Sequence, residues 1–430
     1  MTLRTRHFGL VLFALPLLPG CASEEPVVVR APDLLFITVD TLRADHLGFH
    51  GYPLPTSPRL DRFASESVVF ENADAQSSWT LASLASLMTS RWVGELGIRD
   101  FRSHLPNSVT TFAEILKETG YETAAVGSHL VFLAKYGLRQ GISDFDDELV
   151  LRDFGRSHRA ISSKQVSDKG IAWMAARTES ERPWFLWLHY FDPHIPYQEH
   201  SSFSKAFGTS QMGRYDGEIA FTDAQIGRVL KRSRDSNRPL ITVFTADHGE
   251  EFSDHGQKSH GHTLYQELIH VPLVIQAPGL VPARIAERVR LVDVMPTLFE
   301  LLELRSDLLP ESTVGQSLLP LLRGEEFEPR PSLSELRFNK KTDVDAITRG
   351  RWKLIVPRTT DIPELYDLSG NGQELKNMAE RRPELVQSLR EELDALTSEA
   401  WTRGTGESDV LDLEPEDIEA LQDLGYMGDE

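Results

Sequence analysis

Leu34-Leu35-Phe36-Ile37-Thr38-Val39 is a nearly continuous apolar run that ends on a carboxylate, Asp40. Such a run is the pattern of a strand buried on both faces of a parallel sheet, because a strand with one wet face alternates instead. Comparable runs recur at Glu122 to Val126, Trp184 to Tyr190, Leu240 to Thr245 and Val271 to Gln276. Helical spacing lies between several of them. From Thr110 to Thr119, Phe112, Ile115 and Leu116 share one face, and Gly120 can supply a left-handed stop. Strands alternating with helices predict an α/β fold, a doubly wound and mostly parallel sheet flanked by helices. Ligands of such sheets gather at the carboxyl ends of the strands. Polar clusters follow three of the runs, at Asp40 to Asp45, Asp192 to His194 and Asp247 to Glu251.

Working outward, the 430 residues exceed what one hydrophobic core usually organises, roughly 250 to 300 residues. After about residue 330 the runs shorten, Pro-containing turns appear, and an acidic tail rich in Glu and Leu follows. These shifts predict a main catalytic domain over 33–330 and a smaller α+β subdomain over 331–430 with an acidic helical tail. At the other end, Arg4, Arg6 and His7 precede the apolar stretch Phe8 to Leu18, and Leu18-Pro19-Gly20 leads into Cys21. That is the composition of an export signal over 1–20 with a bacterial lipobox at its end. Cys21 is the single cysteine of the chain, so its expected role is to carry lipid, with 21–32 as a tether. The expected location is therefore a membrane-anchored lipoprotein in the periplasm or on the outer surface. No disulfide and no thiolate metal cluster can form.

The 45 basic and 65 acidic residues give a formal charge of −20. This sign excludes a protein that grips nucleic acid through its phosphates. It directs attention to carboxylates that hold a cation. Asp40 follows one buried strand directly, and Asp247-His248 follows another after Ala246 alone. Two hard oxygen donors and an imidazole at one sheet edge suit a divalent cation, although a strand-end Asp also serves as a turn or helix cap. A third element, Ser77 to Thr89, has Leu81, Leu84, Ala85 and Met88 on one apolar helical face. Ser77, Ser78 and Thr80 then fall at its N-terminus, where unpaired N–H groups either favour a bound anion or are simply capped.

In chain order, ITVDTLRADHLGFHGY, SPRLDRFASESVVFENA, SWTLASLASLMTSR, FAEILKETGYETAAVG, PWFLWLHYFDPHIPY, TADHGEEFSDHG, HGHTLYQELIHVPLVI and GRWKLIVPRTTDIPELYDL resemble the successive motifs of sulfatases, members of the alkaline phosphatase superfamily. The resemblance spans roughly residues 33 to 380. It implies that Asp40, Asp247 and His248 bind a metal, and that His194 contacts the anionic group of the substrate. His262 lies near the position of a family lysine with a similar task.

The departures are equally specific. Active sulfatases carry Cys or Ser, oxidised to formylglycine, in a Cys/Ser-x-Pro-x-Arg pattern, whereas this chain has Thr80-Leu81-Ala82-Ser83-Leu84. Threonine cannot become that aldehyde. Thr41 stands where a second carboxylate is frequent, His248 where an Asn is frequent, and Ser128-His129 where a lysine adjoins the family histidine. Imidazole in place of oxygen moves preference from Ca towards Mn or Zn, so one divalent ion, Mn, Zn or Ca with the first two favoured, is expected.

Threonine nucleophiles occur in phosphoryl-transferring relatives, including phosphodiesterases and lipoteichoic acid synthases, which keep Asp, Thr, Asp and His around one metal. Asp40, Thr80, Asp247 and His248 reproduce that set. The expected activity is a metal-dependent hydrolase, not formylglycine-dependent, that cleaves a sulfate or phosphate ester outside the cytoplasm. Its substrate would be an anionic ester on a glycan, lipid or small molecule. Thr80 is the nucleophile, His194 an anion contact, and His262 or His129 the proton donor. The alternatives are a phosphodiester or phosphonate hydrolase or phosphotransferase, and a degenerate binding lipoprotein. His255, His260 and His270 are expected at the surface or in packing, and residues 130 to 165 and 195 to 215 are expected to be specificity loops.

Overall fold

Two β-sheets, one large and mixed, one small and antiparallel, organise the computed structural model. It describes residues 30–146, 148–151, 162–200, 202–339, 342–370, 372–404 and 410–423. The export segment and Cys21 lie outside the described residues. The large sheet comprises β1 (Asp33–Val39), β2 (Val68–Asp74), β3 (Glu122–Gly127), β4 (Asp144–Asp146), β5 (Trp184–Tyr190), β6 (Leu240–Ala246), β9 (His270–Gln276) and β10 (Ala283–Arg290). Its order is β10-β2-β9-β6-β1-β5-β3-β4. The short pair β7 (Glu251–Phe252) and β8 (Lys258–Ser259) forms a separate ribbon in the loop after β6.

β1 lies between β5 and β6, parallel to both, and all seven of its residues are buried. Its unbroken apolar pattern follows from that central place. Val271–Gln276 departs from the parallel expectation: β9 runs antiparallel to both β6 and β2. The connection from β6 to β9 carries only one four-residue helix, Gln266–Ile269, and not the crossover helix that usually returns the chain to a parallel start. An apolar run buried on both faces reads the same in either direction, so its pattern did not encode this reversal.

Helices flank the sheet. Phe112–Glu118 packs on β3, and Ser163–Ala175 packs on β5 and against the long helix Gln211–Ser233. Thr111 starts the first by a reciprocal cap: its Oγ1 accepts the Glu114 N–H at 3.2 Å, and Glu114 accepts the Thr111 N–H at 2.8 Å. The expected loops carry only short elements among the described residues: Leu130–Phe132, Ala134–Tyr136, β4 and Glu148–Leu151 in the first, and Ser204–Phe207 in the second, before the helices Ser163–Ala175 and Gln211–Ser233 begin at their ends. Residues 152–161 lie outside the described residues.

The small sheet is β11 (Ser332–Asn339), β12 (Thr342–Arg349), β13 (Trp352–Pro357) and β14 (Glu364–Asp367), antiparallel throughout. The helix Pro383–Arg403 covers it, and Leu389, Leu393 and Ala400 join Leu333, Ile347, Leu354 and Val356 in a second core. Both sheets lie within the compact unit Ala31–Glu430. β11 also ties the small sheet to the loop that precedes Thr80. Glu335 N–H donates to Gln76 O at 2.8 Å, and Ser77 Oγ donates to Glu335 O at 2.8 Å.

Candidate metal centre and histidine row

β1 and β6 are parallel neighbours with Val39 opposite Ala246, so the residues that follow them emerge side by side. Asp40 and Asp247-His248 are those residues. Each is fully buried. Asp40, Asp247 and His248 offer ligand atoms that all lie within 4.8 Å of one another. Thr80, first residue of the Thr80–Thr89 helix, completes the group with Oγ1 3.3 Å from His248 Nε2. The four residues expected to meet around one ion therefore do meet.

The polar atoms here are asymmetrically satisfied. Asp247 Oδ1 accepts the N–H groups of His248 at 2.8 Å and Thr41 at 3.3 Å, while Asp247 Oδ2 and both Asp40 oxygens complete no hydrogen bond of normal geometry among the described residues. Thr41 reaches its position with a left-handed φ of 52°. Burial, and then the charges of Asp247 and Glu250, hold the Asp40 carboxyl well above the usual range, and burial raises Asp247 as well. Two facing buried carboxylates are costly unless a cation joins them. His248 is turned to suit that cation. Its Nδ1 lies 2.9 Å from Gly249 O, and a carbonyl can only accept, so Nδ1 carries the proton and Nε2 presents its lone pair to Asp40, Asp247 and Thr80. Carboxylate oxygens, an imidazole nitrogen and a hydroxyl fit a divalent ion.

The Thr80–Thr89 helix differs from its expected form. All ten of its residues are buried, not a single apolar stripe. Ser77 and Ser78 do not gather with Thr80: their hydroxyls donate to Glu335 O and to Thr263 O, at 2.8 and 2.7 Å. Ser83 Oγ donates to Asp247 O at 2.6 Å and so clamps the helix to the β6 loop.

A row of imidazoles leads away from the ligands. Ring centroids of His248 and His260 are 4.5 Å apart, His260 and His194 4.9 Å, His194 and His129 6.1 Å. His194 stacks on Phe191 and engages Ile195 O through Nδ1 at 2.6 Å. His129 accepts the Val131 N–H through Nδ1 at 3.1 Å. His260, expected to be a packing or surface residue, stands inside the row and shares a proton with Glu250 across 2.9 Å. Burial pushes the Glu250 carboxyl up to about 8, and burial drives His260 well below the usual imidazole range. His262 instead turns to Glu251, at 2.7 Å, outside the row. His255 pairs with Glu267 and His270 with Glu71 O. The string His260-Gly261-His262 offers two imidazoles separated by one residue, and Glu250 draws the first into the row while Glu251 holds the second outside it. A further histidine, His189, missed in the sequence because it sits within an apolar strand, approaches Asp40 Oδ2 to 3.5 Å.

Comparison with known proteins adds to this geometry. The family described as Sulfatase matches residues 32–304, and the family described as N-sulphoglucosamine sulphohydrolase, C-terminal, matches residues 256–399. An N-acetylgalactosamine-6-O-sulfatase of Bacteroides thetaiotaomicron is 24% identical, covering 89% of this chain and 98% of its own. Arylsulfatase K of Rattus norvegicus is 24% identical over 87% of this chain and 79% of its own. Among solved structures, Ps i-CgsB in complex with k-i-k-neocarrahexaose superposes with a TM-score of 0.73 at 17% identity, over 93% of this chain and all of that one. A phosphonate monoester hydrolase of Agrobacterium radiobacter superposes at 0.71 with 18% identity, over 86% and 96%. These superpositions speak to the fold.

Proposed function

The chain belongs to the sulfatase family, and from that premise we propose that it hydrolyses a sulfate ester on a glycan, with Thr80 in place of formylglycine. The observation that carries this reading is the approach of Thr80 Oγ1 to His248 Nε2, 3.3 Å apart, beside Asp40 and Asp247 oxygens that complete no hydrogen bond of normal geometry among the described residues. Asp40, Asp247, His248 and Thr80 would hold one divalent ion. Once bound, that ion supplies Lewis acidity, which lowers the pKa of a hydroxyl and offsets charge on the transferred group. The glycan is suggested by the relatives whose names specify sulfated sugars.

In this reading Thr80 Oγ1, having released its proton to solvent, forms the new bond to sulfur while the bond from sulfur to the sugar oxygen breaks, and it leaves again as the alkoxide when water attacks the sulfur. The buried start of the Thr80–Thr89 helix and His194 face the equatorial oxygens. His260, oriented by Glu250, delivers a proton to the departing oxygen and then takes one from the water that releases Thr80. A second reading, hydrolysis of a phosphate or phosphonate ester, draws on the hydroxyl nucleophile and single-ion donor set, which suit phosphoryl transfer.

Export and lipid attachment at Cys21 belong to the same proposal, on the strength of the composition of residues 1–21. Mass analysis of chain recovered from membranes tests them. The catalytic reading is tested by assaying the full chain with Mn²⁺ against sulfated oligosaccharides, aryl sulfate, phosphate mono- and diesters and phosphonate. Desulfation supports the first reading and phosphoryl release the second. Inertness towards the whole panel contradicts both.

A further inference from the structure

His189 belongs to β5, directly opposite Thr38 of β1 in the parallel register. Thr38 and Asp40 stand two residues apart, as do Trp187 and His189, so each pair projects on one face of its strand. The contacts among them have a direction. An indole N–H can only donate, so Trp187 Nε1 donates to Thr38 Oγ1, at 2.9 Å. A hydroxyl oxygen can accept twice, but among the described residues the Thr38 hydroxyl proton meets no acceptor other than His189 Nδ1, 2.8 Å away, so it donates there. With Nδ1 accepting, the ring proton of a neutral imidazole sits on Nε2.

Among the described residues His189 Nε2, fully buried, forms no hydrogen bond of normal geometry, and it lies 3.5 Å from Asp40 Oδ2, which is likewise buried and completes none. A buried donor and a buried acceptor that lack other partners and face each other over this distance need only a small shift to pair.

We propose that His189 is a positioning residue for Asp40: the Trp187, Thr38, His189 chain fixes its tautomer so that Nε2–H holds Asp40 Oδ2 and leaves Oδ1 for the cation. This rests on the reading of Asp40 as a metal ligand. Partners that orient a ligand in this way commonly change metal affinity about 10- to 100-fold when removed. The role belongs to one donor hydrogen, so its signature differs from that of packing. Glutamine can place an N–H near the position of Nε2, whereas leucine fills the space without one.

The test is calorimetric titration of Mn²⁺ into the metal-free full chain, for wild type, His189→Gln, His189→Leu and Thr38→Val, with the melting temperature of each metal-free protein measured in parallel. The expected result is a loss of Mn²⁺ affinity of about tenfold or more in His189→Leu. His189→Gln should stay within about threefold of wild type at a melting temperature no higher than that of the leucine variant, and Thr38→Val should fall between. Equal affinity in wild type, Gln and Leu overturns the inference while leaving the metal site standing. Equal loss in Gln and Leu assigns His189 to packing and also overturns it. A wild-type chain that takes up no Mn²⁺ overturns the metal reading itself.

Discussion

Thr80 Oγ1 and His248 Nε2, 168 residues apart in the chain, lie 3.3 Å from each other in a site closed to solvent. The hydroxyl thus lies beside the ring nitrogen of the one imidazole that adjoins both carboxylates among the described residues. Replacing Thr80 by Ala should cut turnover about 10³-fold or more while leaving substrate binding nearly unchanged, as for the loss of a nucleophile elsewhere. Thr80→Ser should keep a measurable part of the rate. Steady-state kinetics on whichever ester the full chain cleaves checks both, and an Ala variant as active as wild type removes Thr80 from the chemistry.

Asp40 and Asp247 repel each other when no cation is bound. Asp40→Asn should therefore stabilise the metal-free protein, because burial first and the charge of Asp247 second oppose ionisation of this carboxyl. The same change should abolish the rise in melting temperature that Mn²⁺ gives wild type. Thermal melts with and without Mn²⁺ measure the two effects together. A variant that is less stable without metal and still responds to it contradicts this account of the pair.

Much of this arrangement was legible in the sequence. β1, β3, β5 and β6 carry largely apolar runs because both faces are covered, and the carboxylates that close β1 and β6 mark the rim where ligands gather. What escaped was information held by partners distant in the chain. β2 interrupts its apolar run with Glu71 and Asn72, and β10 is mostly polar, so neither reads as a sheet strand alone. His189 is hidden within a strand, its importance set by Thr38 on the neighbouring one. The choice between His260 and His262 depends on Glu250 and Glu251, which point in different directions from adjacent positions.

His50 offers a test of electrostatics away from the metal centre. Burial, with His270 and Arg284 nearby, lowers its pKa to about 3 from 6.5. Below pH 6.5 the unfolded chain takes a proton at this ring that the folded chain refuses until about pH 3, so stability falls as the solution is acidified. The slope from this one group is at most about 1.4 kcal/mol per pH unit. In His50→Gln that contribution is absent. The melting temperature of the variant should gain on wild type progressively from pH 6.5 downwards, and a constant difference across that window contradicts the burial argument.

Leu393 is fully buried where the Pro383–Arg403 helix meets the small sheet. Leu393→Ala should cost about 2 to 5 kcal/mol, the usual range for a truncated core leucine. Because β11 pins the loop before Thr80 through Glu335, turnover should decline at temperatures below those at which the large sheet melts. Activity and circular dichroism followed on one temperature ramp would reveal this, and coincident loss of both signals would show that the small sheet does not govern the loop separately.

The most direct measurement is a mass spectrum of the peptide containing Thr80, taken after rapid acid quench of the Mn²⁺-loaded full chain during turnover of its best ester. The account predicts the added mass of one sulfuryl or phosphoryl group on Thr80, absent without substrate and absent in Thr80→Ala. An unmodified Thr80 in an enzyme that is turning over, or the same group found on another residue, would contradict it.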